Sequence, residues 1–185
     1  MQNIEIYQLT LKEYKNLFDN LYTSLCLFAN KYLDNIEVSK DVVQDVFIKI
    51  WEDKVKFKNE KTIKSYLYTS VKNKSLDYLK SKHYKSTNHF STEEIEKLET
   101  ESFFLREVVI IETSNIIENA INTLPNRCGQ IVRLRIKGFT NLEIANELGI
   151  SINTVKTQKK IAYKRLKPLL KEYFVLIAYI FSSVN

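Results

Sequence analysis

The chain has 185 residues, a length that suits one ordinary domain or two small ones and excludes a large multidomain enzyme. Hydrophobic residues make up 44% and charged residues 27%, with only 3 Gly and 2 Pro, which is typical of a helical globular protein. Cys26 and Cys128 lie far apart without a CxxC spacing, and neither of the 2 histidines is close to them. We therefore expect no metal, no cofactor and no disulfide framework.

The two ends of the chain contain no segment that resembles a leader or a membrane span. No charged and then apolar leader with a small-residue cleavage site opens the sequence, so we expect a cytoplasmic protein. The longest apolar run, residues 173–181, is far shorter than the ~20 residues that cross a bilayer. It predicts an apolar docking tail over residues 172–185 without membrane insertion, and a membrane contact is the alternative.

The formal net charge of +6 is distributed in blocks of alternating sign. Residues 54–85 carry 10 basic and 2 acidic groups, and residues 126–171 carry 11 and 2. Residues 86–125 between them carry 2 basic and 8 acidic groups. This distribution predicts two polyanion-binding surfaces separated by an acidic spacer, and the alternative is a pair of solvated lysine-rich faces without a ligand.

Apolar residues of the first half recur at helical spacing in three stretches, residues 17–32, 42–51 and 63–79. They predict a small three-helix bundle within residues 1–83. A Ser- and Thr-containing segment followed by glutamates predicts a linker over residues 84–103. The predicted buried stripe of the second helix consists of Val42, Val43, Val46, Phe47, Ile50 and Trp51.

Residues 104–171 form the second predicted helical domain, in which Pro125 and Gly138 end two successive helices. A short helix follows Thr140, Gly149 then supplies a left-handed turn, and Ser151 can cap another helix. This order predicts a helix-turn-helix. Its predicted small core contains Ile144, Leu148, Ile150 and Val155, and because Lys159 occupies the next apolar position, the core is extended by Ile161, Ala162 and Leu166.

The second helix of this motif begins with short polar side chains and continues with lysines. Short polar groups can contact base edges in the major groove while cations bind phosphates. The alternative is the ordinary exposed face of an amphipathic helix. The candidate contacts to duplex DNA are Thr140, Ser151, Asn153, Thr154, Lys156, Thr157, Lys160 and Lys164.

Three segments together carry a resemblance to a known family. The segment DVVQDVFIKIWE (41–52) resembles region 2.2 of sigma-70-family initiation factors, and IKSYLYTSVKNKSLDYLKSK (63–82) resembles regions 2.3 and 2.4. Residues 124–166, from LPNRCGQ to KRL, resemble region 4. With only regions 2 and 4 and a short linker, the chain is similar to the extracytoplasmic-function (ECF) group. The Leu-Pro start of region 4 and the Thr157-Gln158 pair are similar to members from Bacteroidetes.

The resemblance implies an all-α protein with a region 2 bundle and a region 4 helix-turn-helix. It implies a transcription initiation factor, not an enzyme, whose partners are core RNA polymerase (the beta-prime clamp helices and the beta flap), promoter DNA and an anti-sigma factor. The residues carried over for polymerase binding are Asp41, Gln44, Asp45 and Glu52. Those for the minus-ten strand are Lys64, Tyr66, Tyr68, Lys72, Asn73 and Lys80, with Tyr66 alternatively a core residue. Region 4 would contact the minus-thirty-five element.

Two other classes of protein can contain a helix-turn-helix. A stand-alone dimeric regulator would need no polymerase contact and usually has a receiver or ligand-binding domain, for which the first 83 residues contain no parallel-sheet pattern. A recombinase would need a catalytic domain, and no glycine-rich sheet pattern is present to house one. The stand-alone regulator is the main alternative.

Overall fold

The computed structural model describes residues 7–57, 60–81 and 91–173. The chain divides into two compact units, Met1–Ile111 and Glu112–Asn185. Within the described residues the fold is all-α, as predicted, apart from one antiparallel pairing of β1 (Tyr7–Gln8) with β2 (Lys56–Phe57). The helices are α1 (Leu11–Leu33), α2 (Ile36–Glu52), α3 (Glu60–Lys80), α4 (Thr92–Glu99), α5 (Glu101–Asn122), α6 (Asn126–Ile136), α7 (Asn141–Leu148) and α8 (Ile152–Leu170), and a 3-10 turn (Lys171–Tyr173) follows.

Local capping sets the boundaries of the first two helices. Thr10 and Glu13 form a capping box at the start of α1, where the backbone N–H of Thr10 donates to Glu13 Oε2 at 2.9 Å. Asp34, with φ of 46°, ends α1, and the Asn35 side chain accepts from the backbone N–H groups of Glu37 and Val38 in α2. Only two residues, Asp34 and Asn35, therefore separate α1 from α2.

The first unit has one core, in which the apolar stripes of α1, α2 and α3 meet. Its most completely buried residues include Leu25, Phe28, Val43, Ile63, Leu67, Val71 and Leu79. Leu98, Phe103 and Phe104 of α4 and α5 pack against the same core. The prediction that Trp51 belongs to the buried stripe is wrong, because its side chain is 44% exposed at the end of α2 and contacts the Tyr14 ring.

The segment predicted as a linker contains helical residues. Ser91 begins α4 with a capping box, and α5 runs from Glu101 past the predicted domain start at residue 104. Residues 84–90 of that segment lie outside the described residues, as does most of the predicted tail at 172–185. The functional boundaries at 1–83, 84–103 and 104–171 stay a prediction.

The second unit has two small cores, and α6 contributes to both. One consists of Ala120, Ile121, Leu124, Cys128, Val132, Ala162 and Leu166. The other consists of Ile131, Ile144, Ala145 and Val155, with Leu134, Phe139, Leu148 and Ile150 packed against it. The predicted helix-turn-helix core of Ile144, Leu148, Ile150 and Val155 is therefore confirmed. Ala162 and Leu166, which were predicted to extend it, are buried in the other core, and the prediction that Ile161 extends it is wrong. Ile161 is 39% exposed because it lies beside Ala162, which takes the buried position.

Gly129 lies buried inside α6, where a glycine lowers helix propensity. A Cβ atom at this position would approach Arg133 Nη1 at 3.2 Å. The Arg133 guanidinium donates to Glu118 Oε1 at 2.9 and 2.6 Å and to Asn122 Oδ1 at 2.6 Å. The missing side chain thus leaves room for the arginine that joins α6 to α5.

Candidate polymerase and nucleic-acid interfaces

The outer face of α2 carries the four residues carried over for polymerase binding. Asp41, Gln44, Asp45 and Glu52 are all exposed, because the buried stripe of α2 faces α1 and α3. Two of them have partners within the unit. Gln44 Nε2 donates to Tyr22 Oη at 3.2 Å, and the Asp45 carboxylate pairs with Lys74 Nζ of α3 at 2.7 Å.

A groove of about 730 Å³ runs between α2 and α3. Asp41 and Asp45 line it from α2, and Tyr66, Asn73 and Asp77 line it from α3. The structure therefore brings two of the expected polymerase-binding carboxylates to the same groove as two residues expected at the minus-ten strand. Both signs of charge are present there, since Lys49 and Lys74 also line the groove.

On α3, the candidates for the minus-ten strand have different surroundings. Tyr66 is 37% exposed, and its ring meets the Phe57 ring edge to face at 5.4 Å. Asn73 is exposed, Lys64 is half-buried, and the exposed Lys80 forms an ion pair with Glu99 of α4. Tyr66 and Asn73 lie seven positions apart and so share the groove face of the helix.

Tyr68 and Lys72 lie on a different face of α3 from Tyr66. Tyr68 is 2% exposed, and its ring packs edge to face on Phe28 at 5.0 Å. The expectation that Tyr68 stacks on a base is corrected, because a ring enclosed by the core offers no face to a nucleotide. Lys72 is half-buried, with its Nζ 4.9 Å from the centre of the Phe104 ring and 3.9 Å from the Glu101 carboxylate.

The helix-turn-helix is fixed by two side-chain caps and a left-handed glycine. The Glu143 N–H donates to Thr140 Oγ1 at 3.3 Å, and the Thr140 N–H donates to Glu143 Oε2 at 2.7 Å. Hydrogen bonds from the Thr140 backbone and then its side chain lower the pKa of the Glu143 carboxyl. Gly149 has φ of 61°, and Ser151 Oγ accepts from the Thr154 N–H at 3.0 Å. The predicted turn at Gly149 and the predicted cap at Ser151 are confirmed, and Thr140 caps the short helix that was predicted to follow it.

The exposed side of α8 gathers the remaining candidates of the helix-turn-helix. Val155, Ala162 and Leu166 are buried on the opposite side of α8. With this side facing the cores, the polar and basic side chains lie in solvent. The structure brings together Asn153, Thr154, Lys156, Thr157, Lys160 and Lys164 as exposed residues of one helix. Thr140 and Ser151 are also exposed, and their hydroxyls serve as helix caps.

Sequence reasoning left Lys159 without a role at a position that favours an apolar residue. In the structure its Nζ donates to Asn141 Oδ1 at 3.1 Å, which joins α8 to the first residue of α7. The sequence does contain a signal for this bond, because Asn141 at the start of α7 and Lys159 on α8 are polar residues on neighbouring helices of the motif. Sequence reasoning also missed Glu99 and Glu101, which pair with lysines of α3.

Among the described residues there is neither a candidate metal cluster nor a candidate membrane-spanning helix. Residues 7–57, 60–81 and 91–173 contain no group of three or more His, Cys, Asp and Glu side chains that could hold a metal ion. No helix in those ranges combines the length and the apolar character that a membrane crossing requires.

Comparisons with known proteins match both units. The model of Sigma-70 region 2 matches residues 17–84, and that of Sigma-70, region 4 matches residues 114–166. RNA polymerase sigma factor SigZ of Bacillus subtilis is 24% identical over 164 residues, 85% of this chain and 86% of that protein. ECF RNA polymerase sigma factor SigW of the same organism is 24% identical over 165 residues, 83% of this chain and 84% of that protein. A probable RNA polymerase sigma factor of Haemophilus influenzae is 28% identical over 60 residues, which span 32% of this chain and 31% of that protein.

A helical bundle followed by a helix-turn-helix, each matched in the expected order, defines a two-part transcription initiation factor. The chain belongs to the sigma-70 family, in its ECF group. The region 2 match favours this function over the stand-alone regulator, which would have no such bundle. Membership of the family implies RNA polymerase and promoter DNA as partners, and sigma factors are initiation factors that have no enzymatic role of their own. The similarity to Bacteroidetes members stays a prediction.

Proposed function

We propose that the exposed face of α2 binds the beta-prime clamp helices of core RNA polymerase. The observation that carries the proposal is the exposure of Asp41, Gln44, Asp45 and Glu52 on one helix whose other side is fixed in the core. Carboxylates and an amide on a rigid helix suit a partner helix rich in arginine or lysine, because charge complementarity guides association and orientation. The beta flap is the proposed partner of the second unit.

Charge reversal at Asp41 tests this interface. Asp41 lines the groove and has no ion pair with a described residue, whereas a lysine in place of Asp45 would also face Lys74. In a pull-down with core polymerase, we expect Asp41→Lys to bind far less polymerase than the parent chain. The control is Asp19→Lys, which makes the same charge change at an exposed position of α1. Unchanged binding by Asp41→Lys, or equal losses in both variants, would contradict the proposal.

We further propose that α3 holds the unpaired non-template strand of the minus-ten element. The supporting residues are Lys64, Tyr66, Asn73 and Lys80, which combine one partly exposed ring, one amide and two cations. Single-stranded DNA is bound by stacking on aromatic rings and by cations along the phosphates. Lys72 can join this set only if its contacts with Phe104 and Glu101 are broken.

In the second unit, α8 is the proposed recognition helix for the minus-thirty-five duplex. Its first two turns present Asn153, Thr154 and Lys156, and Lys160 and Lys164 follow along the same helix as candidate phosphate contacts. Thr140 and Ser151 lie at the starts of α7 and α8, where backbone N–H groups and the helix dipole favour a phosphate. Footprinting with reconstituted holoenzyme is the direct measurement of this contact.

We further propose a location and an additional partner on the basis of the ECF group. We place the protein in the cytoplasm, where polymerase and promoter DNA are found, and we include an anti-sigma factor among its partners. Co-purification of the tagged full chain from its own cells checks the second point, since a cognate inhibitor would be recovered in place of polymerase before induction.

A further inference from the structure

The described lysines of α3 are largely engaged by carboxylates of the same chain. Lys72 pairs with Glu101 of α5, Lys74 pairs with Asp45 of α2, and Lys80 pairs with Glu99 of α4. Two of these lysines, Lys72 and Lys80, belong to the proposed minus-ten surface. Their partners flank Thr100 at the junction of α4 and α5, which we term the acidic corner (residues 99–101).

Apolar contacts hold the acidic corner against the bundle. Phe103 packs on Tyr32 with ring centres 5.2 Å apart, and Phe104 packs on Phe28 at 5.9 Å. Leu98, on the α4 side of the corner, packs against the same core. The carboxylates are therefore presented to α3 by residues anchored on both sides, at a junction where Thr100 Oγ1 accepts from the Phe103 N–H at 3.2 Å.

From this arrangement we infer that the acidic corner is an autoinhibitory contact, in which Glu99 and Glu101 occupy lysines that would otherwise bind DNA phosphates. A carboxylate and a phosphate oxygen accept the same charge-assisted hydrogen bonds from a lysine ammonium, so Glu99 and a phosphate exclude each other at Lys80. At Lys72, where the Glu101 carboxylate lies 3.9 Å from the ammonium, the two anions compete for the same positive charge. The inference rests on the proposed minus-ten function of α3. It adds that the free protein holds part of this surface closed, and that the corner must move before the strand is fully bound.

The strength of the contact sets the size of the expected effect. Lys80 and Glu99 are partly exposed, and so is Glu101, while Lys72 is largely covered. Ion pairs at such positions contribute about 0.2–1 kcal/mol each, so that removing both should raise the affinity for single-stranded DNA about 2- to 30-fold. Two added phosphate contacts should also make the dependence of log affinity on log salt steeper by up to about 1.4.

The test measures binding of the full chain to a fluorescently labelled oligothymidylate at low and at raised salt. We expect Glu99→Gln combined with Glu101→Gln to bind more tightly and with a steeper salt dependence. The matched control combines Glu93→Gln with Glu96→Gln, which removes two exposed carboxylates of α4 that have no ion pair among the described residues. Equal gains in both variants would assign the effect to net charge and overturn the inference.

Two further variants separate this inference from the proposed function. Lys64→Ala removes a lysine that precedes Lys72 on α3 by eight positions, about two helical turns, and it should weaken binding if α3 holds the strand. A loss with Lys64→Ala but no gain with the double glutamine variant would overturn only the autoinhibitory contact. No change in either variant would overturn both. In a background carrying Lys72→Gln and Lys80→Gln the gain should vanish, and a persisting gain would refute the assignment to these pairs.

Discussion

Truncation of Tyr68 should destabilise the first unit and leave strand binding unaffected in the molecules that remain folded. Tyr68 is 2% exposed and packs on Phe28, so Tyr68→Ala removes a core ring and should lower the free energy of unfolding by about 3–5 kcal/mol. Tyr66→Ala removes a ring that is 37% exposed and has one edge-to-face contact with Phe57. It should lower the free energy of unfolding by only about 1–2 kcal/mol. Their effects on single-stranded DNA binding should have the opposite order. Tyr66→Ala should weaken binding by roughly 1–3 kcal/mol because a base loses the ring on which it stacks, and Tyr68→Ala should leave binding unchanged.

Urea unfolding followed by tryptophan fluorescence measures the stability of this unit. Trp51 is the single tryptophan of the chain and lies in α2, so its emission reports on the first unit alone. Tyr68→Phe is the control that keeps the ring, and it should lose no more than about 1.5 kcal/mol. Permanganate reactivity of promoter thymines then measures strand opening by the holoenzyme. A Tyr68→Ala protein with an unchanged urea midpoint and impaired opening would refute the assignment of Tyr68 to the core.

Three further predictions concern the second unit and the isolated chain. Asn153→Ala or Lys156→Ala should weaken the minus-thirty-five footprint by about 1–3 kcal/mol if the side chain contacts a base edge, and by a sequence-independent amount if it contacts a phosphate; the same loss on every sequence would exclude base recognition. The isolated chain should bind promoter duplex weakly and lose affinity steeply with salt, and a tight, salt-insensitive complex would instead favour a stand-alone regulator. Because the pKa of Glu143 is lowered in the folded state, its contribution to stability is present above the ordinary Glu pKa and is lost as the pH falls through the folded value. The protection factors of the α7 amides, which correct for the slower intrinsic exchange at low pH, should therefore fall on acidification, and Glu143→Gln should remove that part of the pH dependence.

Apolar periodicity was sufficient to predict the bundle and the helix-turn-helix, but it could not orient the aromatic residues of α3. Ile63, Leu67 and Val71 lie four positions apart and define the buried line of the helix. Tyr66 and Tyr68 flank this line on either side, each rotated by about 100° from Leu67. Only the positions of neighbouring helices decide which of the two rings is covered, and that information is tertiary.

The same limit applies to the charged residues. The sequence predicts an acidic spacer between two basic blocks, but charge counts alone do not show which carboxylate meets which lysine. Lys72 follows Tyr68 by one helical turn and therefore lies on the same side, next to Phe104 and Glu101. The helix-turn-helix was more predictable, since Thr140, Gly149 and Ser151 act through bonds within a few residues of themselves.

The dual role of α6 bears on how far the recognition helix can be transplanted. Ile131 of α6 fills the small core between α7 and α8, while Cys128 and Val132 of the same eleven-residue helix fill the other core. A graft of residues 140–170 onto a foreign scaffold would leave Val155 and Ile144 without the residue that packs between them. Surface residues of α8 can be exchanged one at a time, but the orientation of α8 depends on its packing against α6 and α7. An exchange of promoter preference between two such proteins should therefore transfer α6, α7 and α8 together.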